Sequence, residues 1–189
     1  MNASTRTLIV VTAATLVACG GTNSSSEPQT PDIAGEWESP CMAQPQADGS
    51  TLYAKLVFDI TADVWTLDYS TFGDEGCAVP LLTVDITGPY TIGARSEIVA
   101  GAWDGEFAFA SKTVTAHNEG MVGFLSSLGG CGEGDWIVGE AKDVYGAGCT
   151  GLGQYAQADC SADYDVVALV GDHLRFGARP ADNNMCSPD

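Results

Sequence analysis

The amino-acid sequence predicts an all-β protein, an antiparallel barrel or sandwich with one short helix, stapled by disulfides. Three observations support this class. Short segments alternate between apolar and polar residues, and turn residues separate them. Glycine is frequent, with 23 residues, whereas lysine and arginine together number only 7. Seven cysteines occur in 189 residues, and an exported chain uses cysteines of this kind mainly for disulfides.

Acidic side chains dominate the composition. The chain has 25 aspartates and glutamates and a formal net charge of −18. A surface of this charge repels phosphate, which disfavours both nucleic-acid partners and direct attraction to anionic lipid headgroups. Hydrophobic residues make up 45% of the chain, so its length and composition suit one domain with a real core.

Residues 1–18 are predicted to be a lipoprotein signal peptide. One positive charge, Arg6, precedes an apolar stretch of about ten residues, too short for a stable transmembrane helix. The stretch ends in Leu16-Val17-Ala18-Cys19. This motif resembles the bacterial lipobox, in which the cysteine is diacylated and the chain is cut just before it. The alternative is an ordinary secretory signal in which Cys19 is incidental.

The residues after Cys19 predict location and domain organisation. Gly20 follows the lipidation site, and by resemblance to enteric sorting rules this permits transfer to the outer membrane. We therefore expect a cell-envelope protein whose membrane partner is reached through acyl chains on Cys19. Residues 19–31 lack large apolar side chains and predict a flexible tether. Residues 32–189 are the predicted folded domain.

Six cysteines remain once Cys19 is assigned to lipid, and they allow 15 disulfide pairings. The sequence does not choose among these by itself. Cys41 with Cys77 is the preferred first pair because both flank the same predicted strand pair. The others then follow in chain order: Cys131 with Cys149 and Cys160 with Cys186. The rival is a metal site, which is disfavoured because no two cysteines have zinc-site spacing. No metal or cofactor is expected.

The predicted strands begin at 33–39, followed by a polar turn over 44–50. Segments 52–60 and 65–70 alternate and form a hairpin through 61–63. The next strand covers 82–87, is bent at Gly88-Pro89 and continues over 90–92.

A further strand is predicted at Trp103 and 106–117. Its alternation puts Phe107, Phe109, Ser111, Thr113 and Thr115 on one side and Ala108, Ala110 and Val114 on the other. Apolar residues at three- and four-residue spacing predict a helix over 119–128, ended by Gly129-Gly130. Residues 136–138, 164–170 and 174–176 are β-prone.

Motifs along the folded part resemble one known family. The motifs are Gly35-x-Trp37-x-Ser39-x-Cys41, Asp74-Glu75-Gly76-Cys77-Ala78-x-Pro80, Gly88-x-Tyr90-x-x-Gly93, Cys131-Gly132-x-Gly134-x-Trp136-x-x-Gly139 with Cys149 and Leu152-Gly153, Tyr164-x-x-Val167-x-Leu169, and Leu174-x-Phe176-Gly177. Together they are similar to the adenomatosis-polyposis-coli-down-regulated family. Gly-x-Trp in the first strand also resembles the opening of lipocalin-like barrels.

This resemblance implies a lipocalin-like barrel or half-barrel that holds lipid or acyl groups. Animal members of the family are membrane-tethered extracellular antagonists of Wnt signalling with two such domains. This chain contains one, so only the fold and the ligand class are carried over.

Three function hypotheses follow from the sequence. The first is a binding module for a fatty acyl chain, lipid or other hydrophobic small molecule, whose candidate cleft residues are Phe58, Trp65, Leu67, Tyr69, Trp103, Phe107 and Phe109. The alternative is a surface protein-interaction or calcium-binding module built on acidic turn residues, namely Asp63, Asp74, Glu75, Asp104, Glu106, Glu133 and Asp135.

The third hypothesis is an envelope hydrolase, for which His117 and His173 are the candidate bases. The sequence contains no recognisable catalytic motif, so we expect a protein that is not an enzyme.

Overall fold

The computed structural model describes residues 29–46, 48–132, 134–180 and 184–188, together with the backbone of residues 6–8. The described part contains eleven strands and one helix. In chain order they are β1 (Arg6–Leu8), β2 (Gly35–Glu38), β3 (Met42–Pro45), β4 (Thr51–Ile60), β5 (Val64–Phe72), β6 (Pro80–Arg95), β7 (Trp103–Ala108), β8 (Ser111–Ala116), α1 (Glu119–Ser127), β9 (Ala141–Asp143), β10 (Ala162–Val170) and β11 (His173–Phe176).

Eight of these strands form a barrel-like ring. Their order is β2-β4-β5-β6-β7-β10-β11-β1, and β1 then returns to β2. Every pairing in the ring is antiparallel except those of β1, which runs parallel to both of its neighbours. The predicted all-β, antiparallel, disulfide-stapled class with one short helix is therefore confirmed.

Strand β1 fills the gap between β2 and β11, although it lies within the predicted signal peptide. Cys19 and the tether as far as residue 28 lie outside the described residues, so lipidation and the boundaries at 18 and 31 stay predictions. Cleavage before Cys19 would remove β1 and leave β2 and β11 as unpaired edges along this seam. The ring would then become a half-barrel.

The bend predicted at Gly88-Pro89 lies instead in the strand opposite. Strand β6 continues through these two residues, while its partner is divided into β7 and β8 by Phe109 and Ala110. Pairing with β6 shifts by one residue across this break, from Thr87 opposite Ser111 to Tyr90 opposite Phe107. We call Phe109 and Ala110 the kink.

The kink reverses which face of the strand points inward. Phe107 before the kink and Phe109 within it are buried, but the buried residues after it are Lys112, Val114 and Ala116. The prediction that Ser111, Thr113 and Thr115 share a side with Phe107 was therefore wrong, because strict alternation fails wherever a bulge inserts a residue.

The first ring strand, β2, contributes a buried tryptophan to the core. Trp37 is 1% exposed, and its indole Nε1 donates to the carbonyl of Ile33 at 2.9 Å. Gly35 has a φ of +144° and lies beside the indole ring. A glycine suits this position because other residues rarely adopt that backbone conformation.

Other predicted elements agree with the structure to different degrees. Helix α1 is confirmed, and the side chain of its N-cap Asn118 accepts from the Met121 N–H. Residues 136–138 are not a strand, and β9 forms after them. Strand β3 includes residues 44 and 45, where a turn was expected. No helix in the described residues is long and apolar enough to cross a membrane.

Gly88→Ala tests the kink. A Cβ at Gly88 would lie 2.0 Å from the carbonyl oxygen of Ala108, so backbone must move and we expect a loss of about 2–3 kcal/mol in the free energy of unfolding. The matched control is Gly123→Ala in α1, where nothing lies within 4 Å and a gain of up to about 1 kcal/mol is expected. Urea unfolding measures both, and equal midpoints would contradict the steric argument.

Hydrogen exchange tests the role of β1. In a chain that begins at Gly20, the backbone amides of Glu38 and Leu174 should exchange faster than in the full chain, because their N–H groups face β1. Direction alternates along a strand, and the N–H groups of Ser39 and Gly177 donate to β4 and β10 instead. Amides of β5, which pairs with β4 and β6, are the internal control. Unchanged protection along β2 and β11 would show that β1 does not hold the seam.

Candidate functional site

Three disulfides join the six cysteines in the pairing that the sequence favours. They are Cys41–Cys77, Cys131–Cys149 and Cys160–Cys186. The first links the start of β3 to the loop between β5 and β6, and the third links the start of β10 to the C-terminal residues. Bridges across 36, 18 and 26 residues each stabilise a fold by about 2–4 kcal/mol.

Residues 117–160, between β8 and β10, form a segment that we call the cap. The Tyr145 hydroxyl donates to the Phe109 carbonyl at 2.8 Å, and the Val144 N–H donates to the Lys112 carbonyl at 3.0 Å. The Cys131–Cys149 bridge lies within the cap. These contacts hold the cap against the end of the barrel at which β10 begins, which we call the capped end.

Five of the seven candidate cleft residues lie together inside the barrel. Each is at most 7% exposed: Phe58, Trp65, Leu67, Phe107 and Phe109. The Trp65 ring lies 5.4 Å from the ring of Phe107 and 6.1 Å from that of Phe109, measured between centroids. The Trp65 indole also donates to the Ala108 carbonyl at 3.0 Å, just before the kink.

The other two candidates are half-buried at opposite ends of the barrel. Tyr69 is on the inner face near the capped end, where burial raises the pKa of its hydroxyl and the charge of Arg179 opposes that rise. Trp103 lies at the far end, with the guanidinium of Arg95 4.9 Å from its ring centroid. Contact of the seven residues with a ligand stays a prediction.

Lys112 is the polar group that sequence reasoning missed. It lies on the inner face just after the kink and is 2% exposed. Its Nζ is 3.5 Å from the Phe109 ring centroid and 3.5 Å from the carbonyl oxygen of Tyr155 in the cap. Burial lowers the pKa of this ammonium, while the charge of Asp163 opposes the effect.

Two aspartates of β10 also lie near the capped end. Burial raises the pKa of Asp163, whose Oδ2 lies 3.4 Å from Nη2 of Arg179. Burial raises the pKa of Asp165 to about 6, although its Oδ1 accepts from the N–H groups of Val166 and Gly177 at 2.7 and 2.8 Å. Asp163 and Asp165 lie on the same face of β10 as Val167, which is fully buried, because side chains two residues apart in a strand point to the same side. This alternation is the sequence signal that could have identified them.

A small cavity of about 30 Å³ opens beside Lys112. This volume holds about one water molecule. The lining includes Ile86, Phe109, Lys112, Tyr155, Asp163 and Arg179. It therefore joins the aromatic interior to the charged groups of the capped end. A second cavity of about 200 Å³ lies in the cap beside Leu125, Cys131, Trp136 and Lys142.

A separate hydrogen-bond chain involves the candidate base His117. Its Nε2 lies 2.8 Å from Thr83 Oγ1, which lies 2.8 Å from Ser70 Oγ, and this hydroxyl donates to Asp68 Oδ1 at 2.6 Å. Cross-strand pairing of Ser70 with Thr83 brings the two hydroxyls together. The sequence did not reveal this arrangement, since it depends on the register between β5 and β6.

The direction of this chain bears on the hydrolase hypothesis. Because Ser70 donates its single hydroxyl proton to Asp68, Thr83 must donate to Ser70, and His117 Nε2 must donate to Thr83. A general base has to accept the nucleophile's proton instead. Ser70 and Thr83 are also only 9% and 8% exposed. His173 lies elsewhere, beside Asp172 in the turn between β10 and β11.

The acidic turn residues do not converge within the described part of the chain, where no cluster of three or more potential metal-ligating side chains occurs. Asp74 instead accepts backbone N–H groups from Gly76, Ala78 and Val79 in its own loop. Glu133 lies outside the described residues. Calcium binding by these residues stays a prediction.

Comparison with protein-family models and with curated proteins finds no match for this chain. The resemblance noted in the sequence is therefore neither supported nor opposed by these comparisons, and the fold and the geometry of the capped end are the basis for a functional proposal.

Asp165→Asn tests the electrostatics of the capped end. Because the pKa rises from 3.8 to about 6 on folding, ionised Asp165 costs stability above pH 6, by up to about 3 kcal/mol. Asparagine can keep the hydrogen bonds to Val166 and Gly177 without the charge. We expect the variant to be more stable than the wild type at pH 8, with the difference disappearing below pH 4.

Thermal unfolding from pH 4 to 8 measures this difference. Asp59→Asn is the control because Asp59 is exposed to solvent on the outer face of β4. A stability difference for Asp165→Asn that does not change with pH would contradict the electrostatic explanation.

Proposed function

We propose that the protein is a lipid-anchored component of the cell envelope whose barrel binds a fatty acyl chain or a related hydrophobic ligand. The observation that carries the proposal is a continuous aromatic cluster that reaches a loop-covered end and is enclosed by the seven ring strands that remain after cleavage before Cys19. A barrel of about this size, open where β1 is removed, is wide enough to hold one small ligand.

The aromatic cluster extends beyond the candidate residues. Phe176 lies 5.0 Å from Phe58 and 5.5 Å from Phe107, and Tyr90 stacks on Phe107 at 6.0 Å, between ring centroids. The interior is thus lined by flat apolar surfaces contributed by five ring strands. Such a lining, with a few polar groups at one end, is typical of sites for hydrophobic ligands.

Ligand entry in this proposal requires the cap to move. The rings pack against one another, so an acyl chain must separate Phe109 from Tyr145 and Tyr155 before it reaches the interior. Near Phe109 the cap is held by hydrogen bonds from the Tyr145 hydroxyl and the Val144 N–H, each of which contributes about 1 kcal/mol net. Only this part has to move, because the pairing of β9 with β8 keeps the rest of the cap attached. The Cys131–Cys149 bridge would keep the cap folded while these bonds open.

The proposed anchor explains how a chain with a net charge of −18 comes to a membrane. Acyl groups on Cys19 supply the attachment, and the acidic surface keeps the folded domain away from anionic headgroups. The similarity to the adenomatosis-polyposis-coli-down-regulated family supports the same ligand class. An anchored acyl-binding domain could receive hydrophobic molecules that leave the bilayer.

Mass spectrometry of the full chain purified without delipidation tests this function. We expect a hydrophobic ligand that is present under native conditions and released on denaturation, whereas acyl groups on Cys19 remain attached. Cys19→Ser should abolish the covalent mass and membrane association but keep ligand binding. Absence of a released ligand, together with no thermal shift on adding fatty acids, would refute the binding proposal.

A further inference from the structure

The environment of Lys112 is unusual for a buried lysine. Its side chain is 2% exposed, and an ammonium removed from water is costly unless a partner meets its charge. Its Nζ lies 3.5 Å from the centroid of the Phe109 ring and 3.5 Å from the Tyr155 carbonyl oxygen. Among the described residues, no carboxylate lies within ion-pair distance of this ammonium.

The nearby carboxylates are already engaged by other groups. Asp163 pairs with Arg179 at 3.4 Å, and Asp165 accepts from the N–H groups of Val166 and Gly177. Lys112 nevertheless lines the same cavity as Asp163 and Arg179, at the point where the cavity meets Ile86 and Phe109. The ammonium is therefore directed at the boundary between the aromatic interior and the cap.

We propose that Lys112 binds the carboxylate of an acyl ligand whose chain enters the aromatic interior. This inference rests on the proposed function and names the ligand class: a free fatty acid or another acyl chain that ends in a carboxylate. The carboxylate would replace the long contact to the Tyr155 carbonyl with a charge-assisted hydrogen bond. The first carbons of the chain would lie against Phe109 and Ile86.

The charges around the cavity favour a small monoanion over a phosphate headgroup. A carboxylate brings one negative charge to a cavity lined by two cations, Lys112 and Arg179, and one acidic group, Asp163. A phosphate can carry a second negative charge, which Asp163 in the cavity wall would repel. A fatty alcohol has no negative charge with which the Lys112 ammonium could pair.

Binding of dodecanoic acid and 1-dodecanol to the full chain carrying Cys19→Ser tests this assignment. This variant keeps all 189 residues but has no thiol at position 19 to be lipidated, so every acyl ligand that is detected is bound non-covalently. At pH 7.5 we expect the acid to bind at least about ten-fold more tightly than the alcohol, measured by tryptophan fluorescence and native mass spectrometry. Lys112→Met should reduce acid affinity to that of the alcohol and leave alcohol affinity unchanged.

Lys55→Met is the matched control, because Lys55 pairs with Glu38 and its side chain is 32% exposed. It should preserve the preference for the acid. If the protein that retains Lys112 binds the acid and the alcohol equally tightly, the carboxylate assignment is overturned, while the proposed function is unaffected. Binding of neither compound would refute the function itself. The acid–alcohol comparison decides the question even if Lys112→Met does not fold.

Discussion

The close approach of β6 to the kink is the constraint on which the rest of the structure depends. Gly88 has no Cβ, and this lets the Ala108 carbonyl and the Ala110 N–H come against the strand, where Ala110 donates to Thr87 at 2.8 Å. The break sends β7 to pair with β10 and β8 to pair with β9. It therefore separates the barrel wall from the cap, and it turns Lys112 inward.

Buried charged side chains are consequently concentrated at the capped end. An inner face made of aromatic rings would be an ordinary core by itself, since the ring contacts account for the burial of Phe58, Trp65 and Phe107. Lys112, Asp163 and Asp165 are different because burying charged groups costs free energy that packing does not compensate. Lys112 and Asp163 line a cavity beneath the cap, and this distinguishes the capped end from the rest of the interior.

Sequence reasoning succeeded where the signal was local. Alternation in 52–60 and 65–70 predicted β4 and β5 to within a residue or two, and the spacing around Leu125 predicted α1. Chain order also favoured the correct cysteine pairing. It failed at Ser111, Thr113 and Thr115, because an alternating pattern does not reveal a one-residue shift in strand pairing. Strand β9 was missed because three residues, Ala141 to Asp143, carry too little pattern without their partner β8.

By itself the sequence determined the all-β class, the expectation of disulfides, the acidic composition and the expectation of export, because composition and periodicity are properties of neighbouring residues. Only the tertiary structure decided which side chains share the interior. The meeting of Lys112 with Asp163 and Arg179, and that of His117 with Thr83 and Ser70, depends on strand register across long separations in the chain. Register is set by packing of the whole sheet, since a shift of one residue exchanges its two faces.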